Sequence, residues 1–260
     1  MRQCYRIFVT LIIAAGLALP AHAQQAMRVM AAGGLDPVLH DLVAHFQRDN
    51  GNARVRIEFG ASGKLARRIA AGMPADVYIA ADAEHAQWLT DQGLAADIGN
   101  VIALGELAYF VPAGAALRAN DGLSALAQAM DAGRLGRFVI ADPDHAPHGR
   151  AAREALLEAG VWAAIQPHLV VADDAAQAMR YVTGGTARAG LVPAHLALRH
   201  QERRRGIALL IAPESHEPLE YRVLVINADS AMATAFAEFL QQPEAAARLA
   251  DYGLLTPEPD

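Results

Sequence analysis

An α/β architecture in two halves, each a mostly parallel sheet flanked by helices, is predicted for this 260-residue chain. Three observations predict it. Short apolar runs alternate with helically spaced segments along almost the whole length, the mark of βαβ units. Hydrophobic residues make up 53% of the chain and charged residues 19%, which supplies a sizeable core and excludes intrinsic disorder. Four small or polar strand-to-helix loops fall two in each half, the arrangement that lines a cleft between lobes.

The chain opens with an export signal. Arg2 and Arg6 form a basic start, and Ile7 to Leu19 is an apolar run too short to span a bilayer at about 20 residues. Pro20 breaks the run, and Ala21-His22-Ala23 is an A-x-A cleavage site. Residues 1–23 are therefore expected to be removed and the mature chain to work in a bacterial periplasm. Losing two arginines and no acid takes the net charge from −6 to −8. The only cysteine, Cys4, leaves with the signal, so the mature chain can form no disulfide, thiolate metal site or cysteine nucleophile. No later apolar stretch approaches membrane length. A mildly acidic chain whose longest basic run is Arg203-Arg204-Arg205 excludes a nucleic-acid footprint.

The elements follow in order. Met27–Gly33 reads as a strand and Pro37–Arg48 as a helix through Leu39, Leu42, Val43 and Phe46. Arg54–Ala61 alternates at period two, a strand. Lys64–Ala71 is a short helix ended by Gly72 and Pro74, Val77–Ala81 a buried strand, and Ala83–Gln92 a helix closed by Gly93. Val101–Pro112 is a longer apolar strand interrupted by Gly105, and Leu123–Met130 is helical. Arg137–Ala141, Leu169–Ala172, Ala189–Val192 and Ile207–Ile211 are strands. Arg150–Ala159, Asp174–Val182 and Ala194–Leu198 are the helices among them. Glu220–Ile226 alternates again before helices at Ser230–Leu240 and Glu244–Asp251. With no flexible linker, the backbone is expected to cross between halves on Val101–Pro112 and Glu220–Ile226. The division is residues 24–102 plus 220–260 in one lobe and 103–219 in the other.

In open α/β sheets, ligands sit outside the carboxyl ends of the strands, where helix N-termini present free N–H groups to anions. The four loops are Ala32 to Asp36, Gly60 to Lys64, His145 to Gly149, and Asp173 to Ala176. Each alone is ordinary turn and cap chemistry; the set of four points to a bound solute. Other chemistries compete. His145, His148 and His195 with Asp144 offer imidazole and carboxylate ligands for zinc or copper. Ser62 in Gly-Ala-Ser-Gly-Lys falls one residue short of a nucleophile elbow, because position 64 is Lys, and no neighbouring element nominates a base for an exported hydrolase. A P-loop is excluded, since Leu65 stands in place of Ser/Thr and Glu58 in place of the first glycine. Trp88 and Trp162 read as packing residues.

At these loops the chain resembles the periplasmic molybdate-binding proteins, the solute receptors of molybdate ABC importers. The resemblance runs from about Met27 to Leu255. It is carried by AAGGLDPVL, FGASGKLARRIAAGMPADVYIAAD, LGELAYFVPAG, ADPDHAPHGRAAREAL and LEYRVLVI. The stretch Phe59 to Asp82 is the most specific, through the spacing of Ser62, Leu65, Ile69, Gly72, Pro74, Ala75 and Asp76. The resemblance implies a two-lobed type II periplasmic binding fold that closes on molybdate or tungstate, no cofactor, no catalysis, a monomer, and a membrane permease as partner.

The family's ligand positions map unevenly. Gly34 stands where the first loop offers a serine, and Ser62 matches the second serine. His148 and Ala175 occupy the two backbone-amide positions, and Pro193 replaces a tyrosine. One hydroxyl of three survives, and each donor lost to an anion costs about 1.5–3 kcal/mol. A different ligand is therefore open: another oxyanion, an organic acid or a divalent metal. Two compensations are expected. His148 would donate as an imidazolium, making binding fall as pH rises through about 6.5. Lys64 would reach the anion as a point charge. On the same reasoning, Gly34→Ser with Pro193→Tyr should raise molybdate affinity.

Overall fold

The structure, a computed structural model, describes residues 26–257 apart from 52, 116 and 118–121. The signal segment, the cleavage site at Ala23 and Cys4 lie outside the described residues. Among the described residues, ten strands form two five-stranded sheets. The first contains β1 (Met27–Ala32), β2 (Val55–Gly60), β3 (Val77–Ala80), β4 (Asn100–Gly105) and β10 (Leu219–Val225), in the order β2-β1-β3-β10-β4. The second contains β5 (Leu107–Pro112), β6 (Phe138–Ala141), β7 (Leu169–Ala172), β8 (Ala189–Pro193) and β9 (Gly206–Leu210), in the order β7-β6-β8-β5-β9. In the first sheet β1 pairs parallel with β2 and β3, whereas β10 pairs antiparallel with β3 and β4. In the second, β6 pairs parallel with β7 and β8, whereas β5 is antiparallel to β8 and β9. Each sheet thus has four strands pointing one way and one reversed.

The stretch read as one strand over Val101–Pro112 is two, and they lie in different sheets. Ala103, Leu104 and Gly105 pair with β10, so the chain leaves the first sheet at Glu106, beyond the expected division after residue 102. The second crossing lies between β9 and β10. Each sheet packs its own core. Val29, Ala31, Val77, Ile79 and Tyr221 meet Leu39, Leu42, Phe46 and Phe236 in the first lobe. Tyr109, Phe138, Ile140 and Leu191 meet Ala152, Leu156 and Ile165 in the second.

Local chemistry sets the helix starts, and the starts place the site. α1 (Asp36–Asp49) has Pro37 in its first turn, where the missing N–H costs nothing. α2 is Ser62–Ala70. In α3 (Ala83–Asp91) and α7 (Ala175–Thr183), Asp82 and Asp174 are N-caps whose carboxylates accept from the amides of His85 and Gln177. α4 is a short turn over Leu126–Asp131. α5 (Pro147–Glu158) starts three residues before the expected Arg150, because Pro147 is itself the first helical residue; His148 and Gly149 are in the first turn, not in a loop. α6 (Trp162–Ile165) is an extra turn, and α8 (Ala194–Glu202) runs on past Leu198. α9 (Ala231–Leu240) and α10 (Pro243–Asp251) cover the first sheet. No helix among the described residues is long and apolar enough to cross a membrane.

Candidate functional site between the lobes

β1 leads through a buried turn, Gly33–Leu35, into α1. Both glycines are places where other groups come too close for a side chain. A β-carbon on Gly33 would lie 2.9 Å from Asp174 Oδ1, the cap of α7 in the other lobe. On Gly34 it would lie 2.7 Å from the Tyr221 hydroxyl, 3.7 Å from Pro193 Cγ and 3.8 Å from His148 Cε1. Three of the sequence-predicted positions, Gly34, His148 and Pro193, therefore meet at one point. Ala175 starts the helix whose cap touches Gly33. Pro147 has no N–H, the Gly149 amide donates to the Ala146 carbonyl and the Gln177 amide is capped by Asp174, so the first-turn amides left at the starts of α5 and α7 are those of His148, Ala175 and Ala176.

Ser62 is fully buried, and its Oγ accepts from the amide of Ala81 at 3.1 Å. The hydroxyl proton remains available for donation. Ser62 is the first residue of α2, after Ala61 at the cap position, so it is not the N-cap that a Ser-Gly start suggests. Its neighbour Gly63 donates from its amide to the His145 carbonyl across the cleft at 2.9 Å.

Lys64 has a different role from the expected one. Its ammonium bridges Asp142 Oδ2 at 3.3 Å and Asp173 Oδ1 at 3.1 Å. Burial would lower its pKa, but these two carboxylates outweigh that and raise it. The only lysine thus clasps the opposite lobe rather than waiting for a ligand. A second clasp joins Arg150 of α5 to Asp82 Oδ2 at 2.9 Å and to Glu84. Burial would raise the pKa of Asp82; the hydrogen bond and charge of His85, with the Arg150 charge, outweigh it and hold the carboxyl below the ordinary range.

The histidines also correct the expectation. His145 Nδ1 lies against both an Arg67 guanidinium nitrogen and the Asp144 carbonyl oxygen. His195 is buried and bonds through Nε2 to the Gly34 carbonyl at 2.8 Å; against a carbonyl it must donate, so its proton sits on Nε2. It is a tether between lobes, not a metal ligand. His145, His148 and His195 do not form a metal set, and among the described residues no group of three or more His, Cys, Asp or Glu does. His148 is buried, and burial lowers its pKa to about 3, with the charges of His195 and His216 adding to the effect and Asp82 opposing it. It is neutral at physiological pH, so an imidazolium donor and a fall in binding through pH 6.5 do not follow. A β-carbon at position 34 would lie 2.7 Å from the Tyr221 hydroxyl, so the gain expected from Gly34→Ser with Pro193→Tyr requires that hydroxyl to move.

Sequence reasoning missed Tyr221. The sequence marks it only as part of an alternating strand. Its hydroxyl is buried without a hydrogen-bond partner, as is Nε2 of His148. Nothing local in LEYRVLVI marks it; the signal is Gly34, whose lack of a side chain makes room for it.

Comparison with known proteins agrees with this architecture. The chain is 29% identical over 226 residues to the molybdate-binding protein ModA of Escherichia coli, covering 86% of this chain and 87% of that one. It is 28% identical over 249 residues to ModA of Rhodobacter capsulatus, covering 95% and 94%. The fold superposes on the periplasmic molybdate-binding protein of Azotobacter vinelandii with a TM-score of 0.79 at 24% identity, covering 89% of this chain and all of that one. The family model for bacterial extracellular solute-binding proteins matches residues 27–255. With that match and a cleft built from both sheets, the chain belongs to the bacterial extracellular solute-binding protein family.

Proposed function

We propose that this protein is an exported receptor that captures molybdate or tungstate between its lobes and hands it to the membrane permease of an ABC importer. The observation that carries this reading is the meeting of Gly34 from one lobe with His148 and Pro193 from the other, beside the Asp174 cap that starts α7 at Ala175. Resemblance to molybdate-binding relatives over most of the chain supports the choice of ligand. The receptor works as a monomer, holds no cofactor and performs no chemistry on the anion. It binds with neutral donors: amides at helix starts, the Ser62 hydroxyl and uncharged imidazole. Closure excludes water, and in the drier cleft each donor acts more strongly on the anion. The two lobes moving as bodies about the crossings near Glu106 and before β10 is part of this reading.

Calorimetry of the mature protein against molybdate, tungstate, sulfate, phosphate and divalent metals tests it. Molybdate or tungstate should bind most tightly; preference for a divalent metal would overturn it. In the same experiment Ser62→Ala should lose about 1.5–3 kcal/mol of binding. The variant should also be less stable by about 1–3 kcal/mol, because the Ala81 amide loses its buried acceptor. Equal affinities would remove Ser62 from the site.

Export is the second part of the proposal, with cleavage after Ala23. Intact-mass measurement of periplasmic protein should give a chain starting at Gln24. A species that retains Met1 would overturn it.

A further inference from the structure

We infer that the Tyr221 hydroxyl is a ligand donor of this receptor, with His148 Nε2 beside it. The inference rests on the oxyanion reading above and names a contact that reading does not contain.

Four observations carry it. First, the hydroxyl and His148 Nε2 are fully enclosed and unpartnered. An unmade buried hydrogen bond is costly, so a native protein that keeps two such groups side by side is holding them for something. Second, they converge: a β-carbon on Gly34 would have Tyr221 Oη and His148 Cε1 both within 4 Å, and the two rings lie 6.1 Å apart. Third, Tyr221 sits where the pairing of β10 with β4 shifts register, between Tyr221 and Arg222. Such irregularities re-aim a side chain next to functional sites. Fourth, position 34 carries the one residue that leaves the hydroxyl room. A β-carbon at position 34 would lie 2.7 Å from the hydroxyl, so the loop and the strand are coupled by space. Burial raises the pKa of the phenol, so it keeps its proton and remains a donor to an anion that offers only acceptors.

A four-way comparison tests this: wild type, Tyr221→Phe, Gly34→Ala and the double variant, titrated calorimetrically with molybdate and followed by thermal unfolding without ligand. Tyr221→Phe should weaken molybdate binding tenfold to a hundredfold, as expected for one hydrogen bond to a charged group. Its ligand-free unfolding temperature should be unchanged or higher, because the hydroxyl has no partner to lose. Gly34→Ala should also weaken binding at least tenfold alone, yet add little in the Tyr221→Phe background, where the colliding oxygen is gone. Unchanged affinity in Tyr221→Phe overturns the inference alone, and a lowered unfolding temperature with that result assigns the hydroxyl a structural role. If the wild type binds none of molybdate, tungstate, sulfate or phosphate, the oxyanion reading fails and this contact fails with it.

Discussion

Acidification from pH 7.5 to 5 should destabilise the folded protein by about 4 kcal/mol, well before the carboxylates titrate. His148 and His195 drive the effect. Burial lowers their pKa values to about 3 and about 4 in the folded protein, against about 6.5 for an unfolded chain. Above pH 6.5 both states hold the imidazoles neutral and nothing is lost. Below it the unfolded chain binds protons that the folded protein refuses, so stability falls as pH falls. At pH 5 each group costs about 2 kcal/mol by linkage. Asp82 and Asp173 have the opposite displacement, held low by their partners. Their contributions are present above the unfolded carboxylate pKa and are lost only below about pH 4. The window between 6.5 and 4 therefore belongs to histidine. The Gly34 carbonyl that accepts from His195 Nε2 favours the protonated ring but does not outweigh burial.

Denaturant unfolding at pH 7.5 and 5, with the imidazole Cε1 resonances followed by NMR, checks the prediction. Both imidazoles titrating near 6.5 in the folded protein, with stability unchanged, would overturn it.

Gly149→Ala should destabilise the protein by about 3 kcal/mol or more and abolish ligand binding. A β-carbon on Gly149 would run into the Ala141 carbonyl oxygen and would lie 2.6 Å from both the carbonyl carbon and oxygen of Asp142. All of these are backbone atoms at the end of β6, so no side chain can rotate away. The helix start must lift off the strand, and it takes with it His148, the first-turn amides and the Arg150 clasp. Gly51→Ala is the control: nothing lies within 4 Å of its β-carbon, and the change should stay within about 0.5 kcal/mol. Urea unfolding and calorimetry of the two variants give the comparison. Wild-type affinity in Gly149→Ala would mean that α5 can shift without disturbing the site.

Much was readable from the chain alone. The alternation of strand and helix is written in hydrophobic period, and period reflects which faces each element buries, a local property. Asp174 as a cap, Pro37 in a first turn and the strand-to-helix turn at Gly34 follow from backbone chemistry that neighbours dictate. The four-loop cleft was legible for the same reason, because strand ends and helix starts face one edge of a parallel sheet.

Only tertiary structure decided what those side chains do. Lys64 reads as a free cation beside an anion site until folding brings Asp142 and Asp173 to it from residues far along the chain. His148 reads as a titrating donor until burial removes its charge, since desolvation depends on every element that packs around it. Gly105 reads as an interruption within one strand, whereas pairing partners from distant segments separate β4 and β5 into different sheets. Tyr221 is the clearest case. Its position in an alternating strand specifies a face and no more, and the glycine that makes space for its hydroxyl lies nearly two hundred residues earlier. Sequence determines locally which groups the chain carries and which element holds them. Their charge, partners and room are set by contacts between segments that no local pattern encodes.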